Sequence, residues 1–147
     1  MKKWIVVFAG LAMLAVASST ATMAASPYGK FLPPGQAFQL HADSMPNMIA
    51  LNWNIADGYY LYRKKFKIIA TDGKVGQAHF PKGEIKTDPY FGSSVVYRSN
   101  VRVILPYKKV PADGKIALKV TYQGCADAGL CYPPITKKIS VPITAAK

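Results

Sequence analysis

The chain has only two cysteines in 147 residues, and neither lies near its N-terminus. Attachment to a membrane through a lipidated N-terminal cysteine is therefore excluded. Past residue 25 no apolar run approaches the ~20 residues that a spanning helix needs, so nothing after that point is expected to cross a bilayer as a helix. The same region has no internal repeat, no low-complexity linker and no helical stripe of about ten residues or more. Repeat arrays and helical bundles drop out. Acid is scarce too: 7 Asp and Glu stand against 19 Lys and Arg.

What is present begins with a leader. Lys2 and Lys3 precede an apolar stretch from Trp4 to Ala17, and small residues then gather through Ser18, Ser19, Thr20 and Ala21 to Ala24 and Ala25. At about 14 residues the apolar stretch is too short to span. The pattern is that of a secretory signal peptide over residues 1–25, cleaved after Ala24 or Ala25, with a mature domain over residues 26–147. Its brevity and layout predict a periplasmic location, where disulfides persist.

Without Lys2 and Lys3 the chain carries 17 basic and 7 acidic residues, a net charge of +10. Export argues against a nucleic-acid partner. The basic residues are mostly scattered singly; the tightest group is Arg63-Lys64-Lys65 with Lys67, beside a tyrosine-rich stretch. Steering toward acidic partner proteins and a simple solvated basic surface both fit.

The periodicity is that of strands. Ile49, Leu51, Trp53 and Ile55 alternate with Ala50, Asn52, Asn54 and Ala56; Ile116, Leu118, Val120 and Tyr122 alternate with Ala117, Lys119, Thr121 and Gln123. Ile135, Ile139, Val141 and Ile143 share a third face. Period two marks half-buried strands. Shorter candidates are Ala37–His41, Tyr59–Tyr62, Phe66–Ala70, Gly76–Phe80, Val95–Tyr97 and Val101–Leu105, separated by turn signals such as Ala56-Asp57-Gly58 and Thr71-Asp72-Gly73. Pro142 marks an edge strand. The expected fold is all-β: an immunoglobulin-like β-sandwich of about 7–9 short antiparallel strands.

The two cysteines stand in Gly124-Cys125-Ala126-Asp127-Ala128-Gly129-Leu130-Cys131-Tyr132-Pro133-Pro134. A disulfide here closes a loop of about seven residues and contributes roughly 2 kcal/mol, against about 4.7 for a hundred-residue loop. The glycines and prolines favour a turn on which both sulfurs can be reached. Spacing alone leaves two readings open, a redox-active pair and a small structural disulfide within a non-enzymatic binding module. A third class, copper binding, rests on His41, Met45 and Met48, since imidazole and thioether ligands suit Cu(I).

Three segments carry a resemblance: Asp57-Gly58-Tyr59-Tyr60-Leu61-Tyr62-Arg63-Lys64, Tyr90-Phe91-Gly92 with Tyr97-Arg98, and the run from Val120 through the cysteines to Pro134. Together they resemble the N-terminal periplasmic domain of the thiol:disulfide interchange protein DsbD, from about Phe31 to Ile143. The resemblance implies an immunoglobulin-like fold and a thiol-disulfide oxidoreductase. It would take electrons from a thioredoxin-like donor linked to a membrane protein and reduce periplasmic thiol–disulfide proteins such as disulfide isomerases and cytochrome c maturation factors. It makes Cys131 the attacking and Cys125 the resolving cysteine, with no cofactor and no metal. It also implies a cap loop matching Asp88-Pro89-Tyr90-Phe91-Gly92, in which Tyr90 shields the sulfurs, and a site lined by Asp88, Tyr60 and Tyr62. Asp127 is expected to shape the turn. Because the family's best-known members continue into membrane and thioredoxin-like domains whereas this sequence ends at Lys147, the expectation is either a donor on a separate polypeptide or a domain reassigned to another role.

Overall fold

The computed structural model describes residues 26–144; the expected signal peptide lies outside them. The strongest alternation in the sequence forms β2 (Met48–Ile55), whose inward residues Ile49, Leu51, Trp53 and Ile55 are at most 4 % exposed. β2 pairs antiparallel with β1 (Phe38–Met45) across a tight turn at Pro46-Asn47, and on its other side with β8 (Asn100–Lys109). The two-residue β5 (Lys74–Val75) completes this layer on the far edge of β8. Ala37 ends a single helical turn, Pro34–Ala37, and β1 begins one residue later than the pattern suggested.

The opposite layer is one bent surface made of two sheets. β9 (Lys115–Tyr122) lies between β4 (Lys67–Asp72) and β11 (Ile135–Pro142), so β11, with Pro142, is an edge as expected. Beyond the bend, β10 (Gly124–Ala126) pairs with β3 (Tyr59–Tyr62), which is followed by β7 (Gly92–Tyr97) and β6 (Glu84–Asp88). β9 runs into β10 through Gln123 alone, and β3 runs into β4 through a 3-10 turn at Arg63–Lys65. The Tyr62 N–H donates to the Gln123 carbonyl at 3.0 Å and carries the pairing across the bend. The result is the all-β, immunoglobulin-like sandwich expected from the periodicity.

Between the layers the core is largely aromatic. Trp53 meets Phe66 and Tyr122 edge to face, with ring centroids 5.0 and 5.6 Å apart. Phe38 does the same with Tyr59, Tyr132 and Tyr122. Such pairs add about 0.5–1.5 kcal/mol each beyond area burial. The lead-in segment is pinned at Leu32, whose N–H donates to the Tyr59 hydroxyl and whose carbonyl accepts from the Tyr132 hydroxyl.

The described residues form eleven strands, where the periodicity predicts seven to nine. β6 was not expected because its polar pattern has no buried face; it forms as an edge strand of the β6–β7 hairpin. Conversely, Gly76–Phe80 is not a strand. It meets β8 only where Gly76 donates to the Pro106 carbonyl and where His79 and Ile104 exchange hydrogen bonds. Pro106 has no N–H to offer in return, so no continuous ladder forms. Among the described residues no helix is long and apolar enough to cross a membrane.

Candidate active site

β3 is buried on both faces. Alternation sends Tyr59 and Leu61 into the main core, while Tyr60 and Tyr62 join Val96 and Cys125 in a second, smaller cluster, with Phe91 and Cys131 packed against it. Cys125 stands opposite Tyr60 in the β10–β3 ladder. The segment after Gly124 can sit this close only because position 124 has no side chain. A Cβ there would collide with the Tyr60 carbonyl and come within 2.6 Å of the Phe38 ring.

Cys125 and Cys131 are joined by a disulfide, their Cα atoms 4.0 Å apart. The turn between them is closed by backbone bonds. Ala126 N–H donates to the Leu130 carbonyl at 2.7 Å, Gly129 N–H to the Ala126 carbonyl at 3.0 Å, and Tyr132 N–H to the Gly124 carbonyl at 3.0 Å. Gly129 has φ +106°, a conformation that side chains rarely adopt. The two sulfurs differ in access: Cys125 is fully buried and Cys131 half-buried.

The Tyr62 hydroxyl lies 3.4 Å from Cys125 Sγ and donates to Asp88 Oδ2 at 2.6 Å. The Tyr60 and Tyr62 hydroxyl oxygens are 3.4 Å apart. Burial, reinforced by the Asp88 carboxylate, pushes the Tyr62 phenol well above its ordinary range. Burial also raises Tyr60. For Asp88, burial acts upward, but hydrogen bonds from the Tyr62 hydroxyl and the Phe91 and Tyr90 N–H groups outweigh it and hold the carboxyl below its usual value. The site is thus a sulfur pair, two neutral phenols and one ionised carboxylate in contact.

Asp88 also builds the loop above them. Its Oδ1 accepts the N–H groups of Tyr90 and Phe91, both at 2.9 Å, as an Asx turn does. Asp88 and Gly92 face each other across the β6–β7 hairpin, and Gly92 sits at φ +64°. This is a three-residue hairpin loop closed by a left-handed glycine. Within it Phe91 packs edge to face on Tyr62, with centroids 4.7 Å apart. Tyr90 is 51 % exposed, and its hydroxyl donates to the Gly129 carbonyl at 2.9 Å. The loop therefore reaches the cysteine turn by one ring in the cluster and one hydroxyl on the turn's backbone.

Several neighbours were not singled out from sequence. Lys64 Nζ donates to the Phe91 carbonyl at 3.3 Å, and Lys65 Nζ lies 4.2 Å from the Phe91 ring centroid. The basic 3-10 turn thus grips the loop from the other side. Arg98 and Lys86 both lie over the Tyr60 ring and both pair with Asp127. Single basic residues on separate elements give no local pattern, although Arg98 followed Tyr97 in the resemblance. His41 and Met45, by contrast, are four residues apart on β1, about 13 Å at the rise of a strand, too far to share one ion. Among the described residues no cluster of three His, Cys, Asp or Glu could hold a metal.

Comparison with known proteins matches this geometry to one family. A family model described as "Thiol:disulfide interchange protein DsbD, N-terminal" matches residues 29–143. The thiol:disulfide interchange protein DsbD of Klebsiella pneumoniae is 38 % identical over 136 residues, 92 % of this chain and 22 % of the relative. That of Escherichia coli K12 is 42 % identical over 110 residues, 75 % of this chain and 19 % of the relative. The chain thus spans about a fifth of these curated relatives. Among solved structures, the reduced DsbD N-terminal domain of Neisseria meningitidis superposes with a TM-score of 0.70 at 37 % identity, covering 76 % of this chain and 89 % of that one. A complex between the DsbD and PilB N-terminal domains of the same organism gives 0.66 at 36 % identity, covering 76 % and 88 %.

Proposed function

Because the chain belongs to the family of DsbD N-terminal domains, we propose that its Cys125–Cys131 pair is a redox-active centre that passes two electrons to other thiol–disulfide proteins on the periplasmic side. The observation that carries this reading is the pair's setting. A disulfide kept only for stability has no use for two phenols and a carboxylate joined by hydrogen bonds beside one of its sulfurs. The relatives named for thiol:disulfide interchange, and the neighbour solved with a PilB domain, support a protein partner that itself undergoes exchange.

Cys131 is the half-buried sulfur of the disulfide and Cys125 the buried one, so Cys131 is the cysteine a partner would reach once the pair is reduced. Its thiolate attacks one sulfur of the partner's disulfide, the Cys131–partner bond forms and the partner's other sulfur leaves as a thiolate. Cys125 then loses its proton and attacks the Cys131 sulfur. The partner departs as a dithiol, and the Cys125–Cys131 disulfide is restored. Two electrons and two protons move in total, with no cofactor. When Cys125 is a thiol, its S–H faces the Tyr62 hydroxyl, which is already bonded to Asp88; these groups form a short proton path for the resolving step. Tyr90, Phe91 and Pro89 form the cap that must shift for the partner to dock. A thioredoxin-like donor linked to a membrane protein would return the electrons, and export by the signal peptide would place the domain with its clients.

Trapping tests this reading. Cys125→Ser should accumulate mixed disulfides with partners in the native periplasm, and Cys131→Ser should accumulate none. The reverse pattern would exchange the two roles. A pair that titrates below about −300 mV, the range of structural disulfides, would sink the exchange reading itself.

A further inference from the structure

The ion pairs around Asp127 lead one step beyond the exchange function, on which the following reading rests. Asp127 lies inside the cysteine turn, two residues after Cys125. The turn does not need its side chain. Besides the bonds within the turn, Asp127 N–H donates to the Gly58 carbonyl at 2.8 Å and anchors the backbone to the start of β3. The carboxylate is nevertheless held three times. Arg98 Nη1 and Nη2 donate to its two oxygens at 2.7 and 2.9 Å, and Lys86 Nζ lies 3.2 Å away. Arg98 also donates through Nε to Glu84, and its guanidinium lies 5.1 Å from the centroid of the Tyr60 ring, the residue opposite Cys125. A guanidinium fork matches a carboxylate in a way an ammonium does not. The Arg98 pairing, ahead of burial, also holds Asp127 below the usual carboxyl range.

A free carboxylate in this turn would oppose a thiolate on either cysteine through like charge. We propose that Arg98 is a positioning residue for exchange: its fork holds and neutralises Asp127, so that the Cys131 thiolate forms in a turn with no uncompensated carboxylate. Other charged and titratable groups face the same region: Glu84, Lys86 and Asp88 on β6, Lys64 and Lys65 on the 3-10 turn, Tyr60 and Tyr62 on β3, and Lys30 and Asp57 beside the turn. All are retained across the variants below; Glu84 loses its pairing in Arg98→Met, so Asp127→Asn reports position 127 without that change.

The test follows the rate of alkylation against pH, using iodoacetamide on purified protein carrying Cys125→Ala, so that Cys131 is the single thiol. Three changes are compared in that background: Arg98→Met, Asp127→Asn and Arg98→Lys. Circular dichroism and a melting curve establish that each is folded. Arg98→Met should move the profile to higher pH and slow alkylation near neutrality by on the order of threefold, because it leaves Asp127 with Lys86 as its one remaining partner, unpairs Glu84 and removes a cation. Asp127→Asn should move the profile the opposite way. Arg98→Lys should fall between the parent and Arg98→Met, since the charge is kept but the bidentate fork that seats it on Asp127 is lost. A Lys variant as slow as Arg98→Met would show that the charge at position 98 does not act on the thiol, and would overturn the proposal. A purely structural tie predicts the same direction for Arg98→Met and Asp127→Asn, because both break the same bonds. That outcome, or no shift in either folded variant, overturns the proposal. If Arg98→Met does not fold, Asp127→Asn decides, and an unchanged or upward profile overturns the proposal. Failure of the unaltered pair to exchange with a thioredoxin-like protein would instead remove the exchange reading, while opposite shifts would leave the Arg98–Asp127 charge assignment standing.

Discussion

β3 separates two environments that are equally dry and chemically unlike. On one face Leu61 and Tyr59 join a core of rings and aliphatic chains around Trp53, Phe38 and Tyr122. On the other, Tyr60 and Tyr62 lie against two sulfurs, with hydroxyls aimed at each other and at Asp88. The first face is covered by a whole sheet. The second meets a three-residue loop at Tyr62 and two basic side chains at Tyr60; the loop is held by hydrogen bonds to Asp88, Gly129 and Lys64 and by one aromatic contact. Few apolar contacts and partly exposed polar ties mark a segment that opens more readily than the core does. The comparison teaches that the same degree of burial is reached here by two means: broad apolar packing on one face, and a small polar network with a short loop on the other.

If the two faces are independent, damage to the first should leave the second unchanged. Trp53 is fully buried and packs on both Phe66 and Tyr122. Trp53→Ala should cost about 3–5 kcal/mol of stability, read from the denaturant midpoint. Alkylation of the reduced pair well below the transition should keep its unaltered rate. A faster rate in the folded variant would show that the core, and not the cap, governs access to the sulfurs.

The main core was largely legible in the sequence because apolar alternation on β2 and β9 has a period that local reading detects. The site was legible only in part. The cysteines, Asp88, Tyr60 and Tyr62 were named, and the fold brings them into contact. What could not be read was how the loop is held. Lys64 and Lys65 looked like a solvated basic cluster, because their bonds to Phe91 span 26 or 27 residues. Asp127 looked like a turn former because its partners, Lys86 and Arg98, lie on two other segments. β6 is illegible for a different reason: Ile85 is 74 % exposed, so no alternation of burial announces the strand.

The second face can be opened without touching its charge. Tyr90→Phe deletes the hydroxyl that donates to the Gly129 carbonyl and keeps the ring. One exposed neutral hydrogen bond is worth about 0.5–1.5 kcal/mol at most, so the global melt should barely move. Alkylation of the reduced pair should rise, because the cap loses its tie to the cysteine turn, and Tyr90→Ala should raise it further. Equal rates for all three proteins would show that Phe91 alone holds the cap, and Phe91→Ala would then be the variant that opens it.

The smallest expected effect concerns pH. The folded-state pKa of Asp88 is depressed, since the hydrogen bonds from Tyr62, Phe91 and Tyr90 overcome burial. Such a group adds stability that is fully present above the unfolded value of about 3.9 and is lost as pH falls through the folded value. Asp88→Asn removes this ionisation, so the stability gap between the parent and the variant should be widest near neutrality and narrow below about pH 4. The same substitution removes a negative charge near Cys125, one Tyr62 hydroxyl away, and should move alkylation of the reduced pair toward lower pH. The two readouts bear on the two faces separately. A gap that does not change with pH would mean that Asp88 only shapes the hairpin loop. An unmoved alkylation profile beside a closing stability gap would confine the carboxylate to holding the cap and take it out of the chemistry of the sulfurs.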